Sequence, residues 1–371
     1  MRCRVIVFMA PTLIAGPDSF AELGDATRRL GLTNVLVVAD RGIRAVGYVA
    51  EALRLLSTAG VSAHTFHEFS ENPTSAMVEA GRLVAVPLEI DGFIGLGGGS
   101  SIDCAKGINF VLTNGGTMAD YRGYGRAVQP LVPLVAVPTT AGTGSEAQSY
   151  ALVSDPVTHE KMACGDFKAM AAIAILDPVL TVSQPAGVAA AAGYDALAHS
   201  VETWVTTRRS SASDVLAEEA WRLLSANYAR VLSHPGDLDA RAGMLLGAHR
   251  AGAAIELSML GATHACANAL TALYGTGHGV AIGLLLRHVV GWNAEADAET
   301  AARYRDLDGD LVGVLERAAV AGGIPPGLAS AGARREDMDR LVALAMSQWT
   351  GTFNPRPFDA TGARTIFERA W

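Results

Sequence analysis

Cysteine is scarce in this sequence, which has only four cysteines in 371 residues. Cys3, Cys104, Cys164 and Cys266 are widely spaced and form no C-x-x-C pair. This excludes a disulfide framework and is typical of a reduced, cytoplasmic protein.

Charge is also sparse: Asp, Glu, Lys and Arg make up 18% of the residues, and the net charge is −8. Nucleic acids and anionic membranes are bound through basic surfaces, so neither is an expected partner. Half of the residues are apolar, and the chain is long enough for two domains with a sizeable core.

Long apolar runs are missing, because no stretch reaches the roughly 20 residues that a membrane span needs. The N-terminal segment MRCRVIVFMAPTLIAGP has arginines followed by an apolar run, as a signal peptide does, but Pro11 interrupts that run. We expect VIVFM to form a buried first strand instead.

Strands and helices alternate in the first half of the chain. Short apolar, β-branched runs predict strands at 32–40, 61–69, 90–97 and 133–140. Amphipathic patterns predict helices at 44–60, 72–86 and 100–113. Continuous apolar strands separated by helices indicate a parallel sheet covered on both faces.

The pattern changes near DPVLTVSQP, after which only helical segments follow. We place a domain boundary near Gln184–Pro185. The sequence therefore predicts an α/β domain at 1–184, an all-α domain at 185–371, and a ligand cleft between them.

A glycine-rich turn in GLGGGSSIDCAKG follows the predicted strand at 90–97. Gly98 and Gly99 let the backbone approach a bulky anion, and Ser100 with the first N–H groups of the next helix can hold a pyrophosphate. The spacing is not G-x-G-x-x-G, and an ordinary structural turn is the alternative.

Polar residues follow two further strands. Thr139 and Thr140 in PTTAGTGSE offer hydroxyls to ribose or phosphate, although an ordinary connection would have the same composition. Asp40 ends a strand, where a carboxylate can bind the adenosine ribose of NAD and repel the 2′-phosphate of NADP. A helix-capping aspartate is the alternative for Asp40.

One carboxylate and three imidazoles in the second half are candidate metal ligands. Asp195 and His199 are four residues apart, which places them on one face of a helix. His264 and His278 are each flanked by glycine and small residues. Together these four residues suit a divalent ion such as Fe²⁺ or Zn²⁺.

The chain resembles the iron-containing (group III) alcohol dehydrogenase family nearly from end to end. The motifs that carry the resemblance occur in the family's order: PTLIAGPDSFAELG, GGGSSIDCAK, PTTAGTGSE, ILDPVLT, GYDALAHSVE, GATHACA, GTGHGVAIGLLL and QWTGTFNPRP. The resemblance implies a Rossmann-like α/β domain with a parallel sheet, an all-α C-terminal domain as in the dehydroquinate synthase-like fold, and a metal in the cleft.

The resemblance also assigns site residues. The implied metal ligands, which are the catalytic residues through the metal, are Asp195, His199, His264 and His278. The implied NAD-binding residues are Asp40, Asn72, Gly98, Gly99, Ser100, Thr139, Thr140 and Lys161. Iron is implied by the family, and Zn²⁺ suits the same ligands.

The chain departs from the family pattern near the substrate. Asn268 stands where many members have a second histidine, so a proton relay through that position is not expected. Ile255, Glu256 and Leu257 replace a Phe-Ser-Asn segment, and we expect them to shape the substrate pocket with Tyr150.

Glu202 lies three residues after His199 on the same predicted helix face. A carboxylate at that position can orient His199 by accepting a hydrogen bond. A solvated helix glutamate is the alternative.

The expected function is a metal-dependent NAD(H) alcohol dehydrogenase or aldehyde reductase for a small substrate, with NADP disfavoured. Family relatives imply a homodimer or a larger homo-oligomer. Three other functions remain open: a metal-free maleylacetate reductase, a dehydroquinate synthase-like lyase, and a non-enzymatic binding protein.

Overall fold

The computed structural model describes residues 11–158 and 160–371. The strand predicted in VIVFM, Cys3 and His159 therefore lie outside the described residues. The three cysteines that are described are buried free thiols. Within the described part of the chain, no helix is both long enough and apolar enough to cross a membrane.

A six-stranded sheet forms the centre of the first half. The described residues contain the strands β1 Thr12–Ala15, β2 Asn34–Val38, β3 Ser62–Phe66, β4 Gly92–Gly97, β5 Gly123–Tyr124, β6 Leu134–Pro138, β7 Tyr150–Ser154, β8 Lys161–Gly165 and β9 Ile173–Leu176. The large sheet has the order β1-β9-β6-β4-β2-β3, and every neighbouring pair is parallel.

The predicted parallel sheet is confirmed, and so are its four predicted strands β2, β3, β4 and β6. Every residue of β4 and β6 is buried, as expected for central strands of a covered sheet. Because the strands are parallel, their carboxyl ends share one edge, where ligands of open α/β sheets bind.

A second, three-stranded sheet was not predicted. Its order is β5-β8-β7, with β7 antiparallel to β8 and β5 parallel to β8. The sequence shows little of it, because β5 has two residues and β7 mixes exposed and buried positions. Tyr150 begins β7, and Lys161 begins β8.

Helices connect the strands and form the whole second half. They are α1 Leu23–Arg29, α2 Arg41–Ala45, α3 Tyr48–Thr58, α4 Ser75–Ala85, α5 Gly99–Asn114, α6 Ala186–Val205, α7 Ser211–Ser233, α8 Leu238–Leu257, α9 Ala262–Tyr274, α10 His278–Ala294, α11 Ala298–Leu307, α12 Leu311–Ala321, α13 Met338–Met346 and α14 Ala360–Arg369. The all-helical second half is thereby confirmed.

The described residues divide into two compact units, each with its own hydrophobic core. The first comprises 11–139 and 145–177, and the second comprises Thr140–Gly144 and Pro178–Trp371. The second unit thus begins seven residues before the expected boundary, because the short segment before α6 belongs to it. The division into domains at 184–185 remains a prediction.

The short loop Thr140–Gly144 packs onto helices of the second unit. A Cβ on Gly142 would lie 2.7 Å from Cβ of Ala192 in α6, and one on Gly144 would lie 2.6 Å from Cα of Gly252 in α8. Gly144 also has a φ of +61°, which favours glycine. Close backbone packing therefore accounts for the glycine spacing of PTTAGTGSE.

Helix α6 is held tightly by its neighbours. A Cβ on Gly193 would lie 2.8 Å from the Tyr228 ring of α7, and Tyr228 Oη donates a 2.9 Å hydrogen bond to Ala190 O. Buried Tyr194 donates a hydrogen bond to Leu315 O in α12. This packing sets the position of the two candidate ligands that α6 carries.

Candidate metal centre

Three helices of the second unit bring the four predicted ligands together. Asp195 and His199 lie one turn apart on α6, as their spacing predicts. His264 lies in the first turn of α9, and His278 is the first residue of α10.

The ligand atoms converge on one carboxylate oxygen. Oδ1 of Asp195 lies 3.3 Å from Nε2 of His199, 3.4 Å from Nε2 of His264 and 3.7 Å from Nε2 of His278. The ligand atoms of Asp195, His199 and His264 all lie within 4.8 Å of one another. Separations of this size are what ligands around a single ion require, since each lies about 2 Å from the metal.

The cluster is deeply buried. Asp195, His199 and His264 are each 4% exposed, whereas the His278 side chain is 21% exposed. Asp195 Oδ1 and His264 Nε2 have no hydrogen-bond partner among the described residues. Leaving buried polar atoms unpaired is costly, and a divalent cation would satisfy both atoms. The residues therefore fit a metal, and an N₃O donor set suits Fe²⁺ or Zn²⁺.

Glu202 orients His264 rather than His199, contrary to expectation. Glu202 Oε2 accepts a short hydrogen bond from Nδ1 of His264, and its Oε1 accepts one of 2.7 Å from Thr263 N. Glu202 is 5% exposed, which also excludes the solvated alternative. The helix face was predicted correctly, but the position of α9 determines which histidine Glu202 contacts. This bond directs Nε2 of His264 toward the metal position.

The carboxylate of Asp195 and the surrounding imidazoles shift one another's ionisation. Burial opposes ionisation of Asp195, but the imidazoles of His199, His278 and His264 hold the pKa of Asp195 well below its usual range. Burial lowers the pKa of His199. Burial has the same tendency at His264, but the Glu202 and Asp195 carboxylates raise the pKa of His264 to about 9. The pocket thus presents an ionised carboxylate among imidazoles.

The glycines around His278 serve the packing of its helix. Gly275 ends α9 in the left-handed conformation with a φ of +66°, and a Cβ on Gly279 would overlap Ala191 O of α6. These glycines let α10 begin directly against α6. Helix packing, more than room for an ion, therefore explains the GTGHG motif.

The predicted pyrophosphate loop lies between β4 and α5 in the first unit. Gly97 has a φ of +143° and would clash with Ser101 if it carried a Cβ. Gly98 is the residue before α5, and Gly99 is its first residue. Asn72, itself left-handed with a φ of 54°, donates its N–H to Ser100 Oγ at 3.3 Å. Two predicted cofactor segments are thereby adjacent.

Asp40 caps the short helix α2. Its Oδ1 accepts hydrogen bonds from the N–H groups of Gly42 and Ile43 at 2.7 and 3.0 Å. The capping alternative is therefore present in the structure, but it uses only one carboxylate oxygen. Contact between Asp40 and a ribose remains a prediction.

The other cofactor candidates are divided between the units. Thr139 belongs to the first unit, where it is buried and donates its N–H to Gly97 O at 2.9 Å. Thr140 is part of the second unit. Lys161 pairs with Ser154 across β7 and β8.

Lys106 was not singled out from the sequence. It is 1% exposed, and its Nζ donates to the carbonyls of Ser145, Gln148 and Tyr150 at 2.7, 2.5 and 3.0 Å. It fixes the segment that leads into β7. The signal that could have revealed it is an ammonium within the apolar helix IDCAKGINF.

The substrate-pocket candidates are placed as follows. Tyr150 is in the first unit, whereas Ile255, Leu257 and Asn268 are in the second. Ile255 and Leu257 are in the last turn of α8, and Ile255 is 4% exposed. Asn268 lies on α9 and donates to Gln348 Oε1 at 3.1 Å. Their role as pocket residues remains a prediction.

Comparisons with known proteins cover both halves of the chain. Residues 10–178 match the protein-family model for iron-containing alcohol dehydrogenase. Residues 189–371 match the family model for the C-terminal part of Fe-containing alcohol dehydrogenases. An NAD-dependent methanol dehydrogenase from Bacillus methanolicus is 32% identical over 362 residues, covering 94% of this chain and 95% of that protein.

Two further similarities span the whole chain. A 1,3-propanediol dehydrogenase from Klebsiella pneumoniae is 31% identical over 387 residues, covering 100% of both chains. A crystal structure of 1,3-propanediol oxidoreductase superposes with a TM-score of 0.95 and 31% identity, covering 99% of this chain and 100% of that one. The predicted fold class, a parallel-sheet domain followed by a helical one, is confirmed. The chain belongs to the iron-containing alcohol dehydrogenase family.

Proposed function

We propose that this chain is a metal-dependent NAD(H) alcohol dehydrogenase or aldehyde reductase that acts on a small alcohol or aldehyde. The observation that carries the proposal is the convergence of three imidazoles on the buried Asp195 carboxylate. The names of the relatives support it, since they specify methanol, 1,3-propanediol and, for an Escherichia coli protein 31% identical over 375 residues, lactaldehyde.

The metal we assign is Fe²⁺, with Zn²⁺ as the alternative. The family description supports iron, whereas intrinsic affinity favours zinc. When bound, the cation supplies a Lewis acid that polarises the substrate oxygen. Asp195, His199, His264 and His278 would hold it, and the bond to Glu202 keeps Nε2 of His264 available as a ligand.

The cofactor we assign is NAD, with NADP disfavoured by the carboxylate of Asp40. When bound, NAD would supply the chemistry of hydride transfer between an alcohol carbon and its nicotinamide, or the reverse from NADH to a carbonyl carbon. The residues proposed to bind the dinucleotide are Asp40, Asn72, Gly98, Gly99, Ser100, Thr139, Thr140 and Lys161. The contact between Asn72 N and Ser100 Oγ supports a shared role for these two segments.

Alcohol oxidation also releases the hydroxyl proton. The side chain of Asn268 is a neutral amide that donates to Gln348, so it cannot accept this proton at ordinary pH. The proton therefore reaches solvent by a route that does not use residue 268. The residues proposed to line the substrate pocket, and so to determine which alcohol or aldehyde is bound, are Tyr150, Ile255, Leu257 and Asn268.

One experiment separates this proposal from its alternatives. NADH absorbance is followed over a panel of small alcohols and aldehydes, with elemental analysis of the same preparation. We expect net NADH formation or consumption and about one Fe or Zn per chain. Turnover without bound metal would favour the maleylacetate reductase alternative. Catalysis without net NADH change would favour the lyase, and absence of turnover would favour a binding protein.

We further propose a cytoplasmic homodimer or larger homo-oligomer with no nucleic-acid or membrane partner. The net charge of −8 supports the absence of nucleic-acid and membrane partners, and the free thiols of the described cysteines support a reducing compartment. The proposed oligomer rests on the family resemblance. Light scattering coupled to size-exclusion chromatography measures the mass: a value near 38.5 kDa would contradict the oligomer.

A further inference from the structure

The motif FNPRP near the C-terminus lies more than 70 residues after the last candidate ligand in the sequence. It nevertheless contacts α9, α10 and the residues that directly follow α6. Phe353 O accepts hydrogen bonds from Thr206 Oγ1 at 3.1 Å and Thr207 N at 2.8 Å, immediately after α6. Arg356 donates to Trp292 O in α10 at 2.6 Å and stacks on that indole at 4.2 Å.

Asn354 is the central residue of this segment. Its Oδ1 accepts from Ala262 N, the first residue of α9, at 3.2 Å. It also exchanges two hydrogen bonds with Asn293 of α10, at 2.7 and 3.2 Å. Its Nδ2 donates to Arg356 O at 2.7 Å, and the side chain is almost fully buried.

Two side chains from outside α9 therefore cap its first turn. Asn354 accepts from Ala262 N, and Glu202 accepts from Thr263 N. A Cβ on Gly261 would lie 3.0 Å from Asn354 Oδ1 and 3.1 Å from Glu202 Oε1, so the glycine admits both oxygens. The first N–H groups of a helix need such acceptors, and His264 is the next residue.

We infer that Asn354 is a positioning residue for the metal site: by capping α9 together with Glu202 and tying it to α10, it fixes the direction of His264. Asn354 does not touch the ligand atoms. Its effect on His264 is strong because Ala262 is only two residues away. Its effect on His278 is weaker, since Asn293 lies at the opposite end of α10. The inference rests on the proposed metal site.

The test is Co²⁺ binding to the full-length, metal-free protein, measured by competition with a chelator and by the visible spectrum of the bound ion. Loss of an outer partner of a ligand typically weakens metal binding about 10–100-fold. Because Asn354 acts on the backbone before His264 rather than on its ring, we expect Asn354→Ala to raise the Kd for Co²⁺ by about tenfold, the lower end of that range. We also expect a change in the spectrum of the bound ion. We expect Asn354→Asp, which keeps the acceptor for Ala262, to raise the Kd less.

Asn109 provides the matched control. It is equally buried and bridges backbone groups of Val132 at 2.8 and 3.2 Å, but it belongs to the first unit. Asn109→Ala should lower the melting temperature while leaving the Kd and spectrum of Co²⁺ unchanged.

The outcomes separate the inference from the proposed function. Failure of the wild-type protein to bind Co²⁺ would overturn both. Normal Co²⁺ binding by the wild type and by Asn354→Ala would overturn only the positioning role. Equal weakening in Asn109→Ala would also overturn it, because general destabilisation would then explain the loss. If Asn354→Ala does not fold, Asn354→Leu decides, because leucine is similar in size to asparagine but offers no acceptor to Ala262 N. An unchanged Kd and spectrum in that variant contradict the inference.

Discussion

His264 has a carboxylate facing each ring nitrogen, Glu202 at Nδ1 and Asp195 at Nε2. Replacing it with alanine removes a ligand and leaves the buried Glu202 without this partner. We predict that His264→Ala loses bound metal and lowers turnover by roughly 100-fold or more, while NADH binding is retained. Elemental analysis, steady-state kinetics and NADH fluorescence measure these three properties.

His288 is the matched control for that variant, because it lies on α10 but is not a candidate ligand. His288→Ala should retain the metal. Full metal content and full activity in His264→Ala would refute the assignment of His264 as a ligand.

Asp40 has two separable roles, a cap for α2 and the proposed discrimination against NADP. Glycine at a helix N-cap costs only a few tenths of a kcal/mol, and asparagine caps as well as aspartate. We predict that Asp40→Gly and Asp40→Asn both lower the ratio of kcat/KM for NAD over NADP by about tenfold, or ~1.4 kcal/mol. An unchanged ratio in both variants would leave Asp40 as a cap only.

At the scale of elements, the start of α10 depends on its contact with α6. A side chain at Gly279 would overlap Ala191 O, so Gly279→Ala must separate the two helices. We predict a loss of about 1–3 kcal/mol in the free energy of unfolding, measured by urea denaturation. Metal binding should also weaken, because His278 precedes Gly279.

Gly291 on the same helix is the control, since among the described residues a Cβ built there meets nothing within 4 Å beyond its chain neighbours and the backbone of its own helix. Gly291→Ala should stabilise the protein by up to about 1 kcal/mol, as expected for alanine in a helix. Equal stability of the Gly279→Ala variant and the wild-type protein would show that α6 and α10 are not in close contact.

At the scale of the whole molecule, tryptophan fluorescence reports selectively on the unfolding of the second unit. The five tryptophans are Trp204, Trp221, Trp292, Trp349 and Trp371, all in the second unit. A metal present at 100 times its Kd stabilises the unit that binds it by about 2.7 kcal/mol. Chelation should therefore lower the melting temperature seen by tryptophan fluorescence by roughly 5–10 °C. An unchanged transition after complete metal removal would contradict a metal site in the second unit.

Helices and strands of this molecule were predictable from the sequence where a local hydrophobic period was sufficient to identify them. Helix α6 occupies Ala186–Val205, at the start of the region that the sequence predicts to be all-helical, because a long helical period can be recognised without knowledge of its partners. The β5-β8-β7 sheet was missed, because strands of two to five residues depend on pairing for their stability.

By itself, the sequence determined the parallel sheet and the helical second half, since strand alternation and helical period are local patterns. It also supplied the candidate ligand set, through the four-residue spacing of Asp195 and His199 and through the family resemblance. Only the tertiary structure decided that Glu202 contacts His264 rather than His199. It also decided that Asn354 caps α9 and that the PTTAGTGSE glycines pack against α6 and α8. Those contacts join residues about 50 to 110 positions apart, so they depend on how helices pack, and no local pattern encodes them.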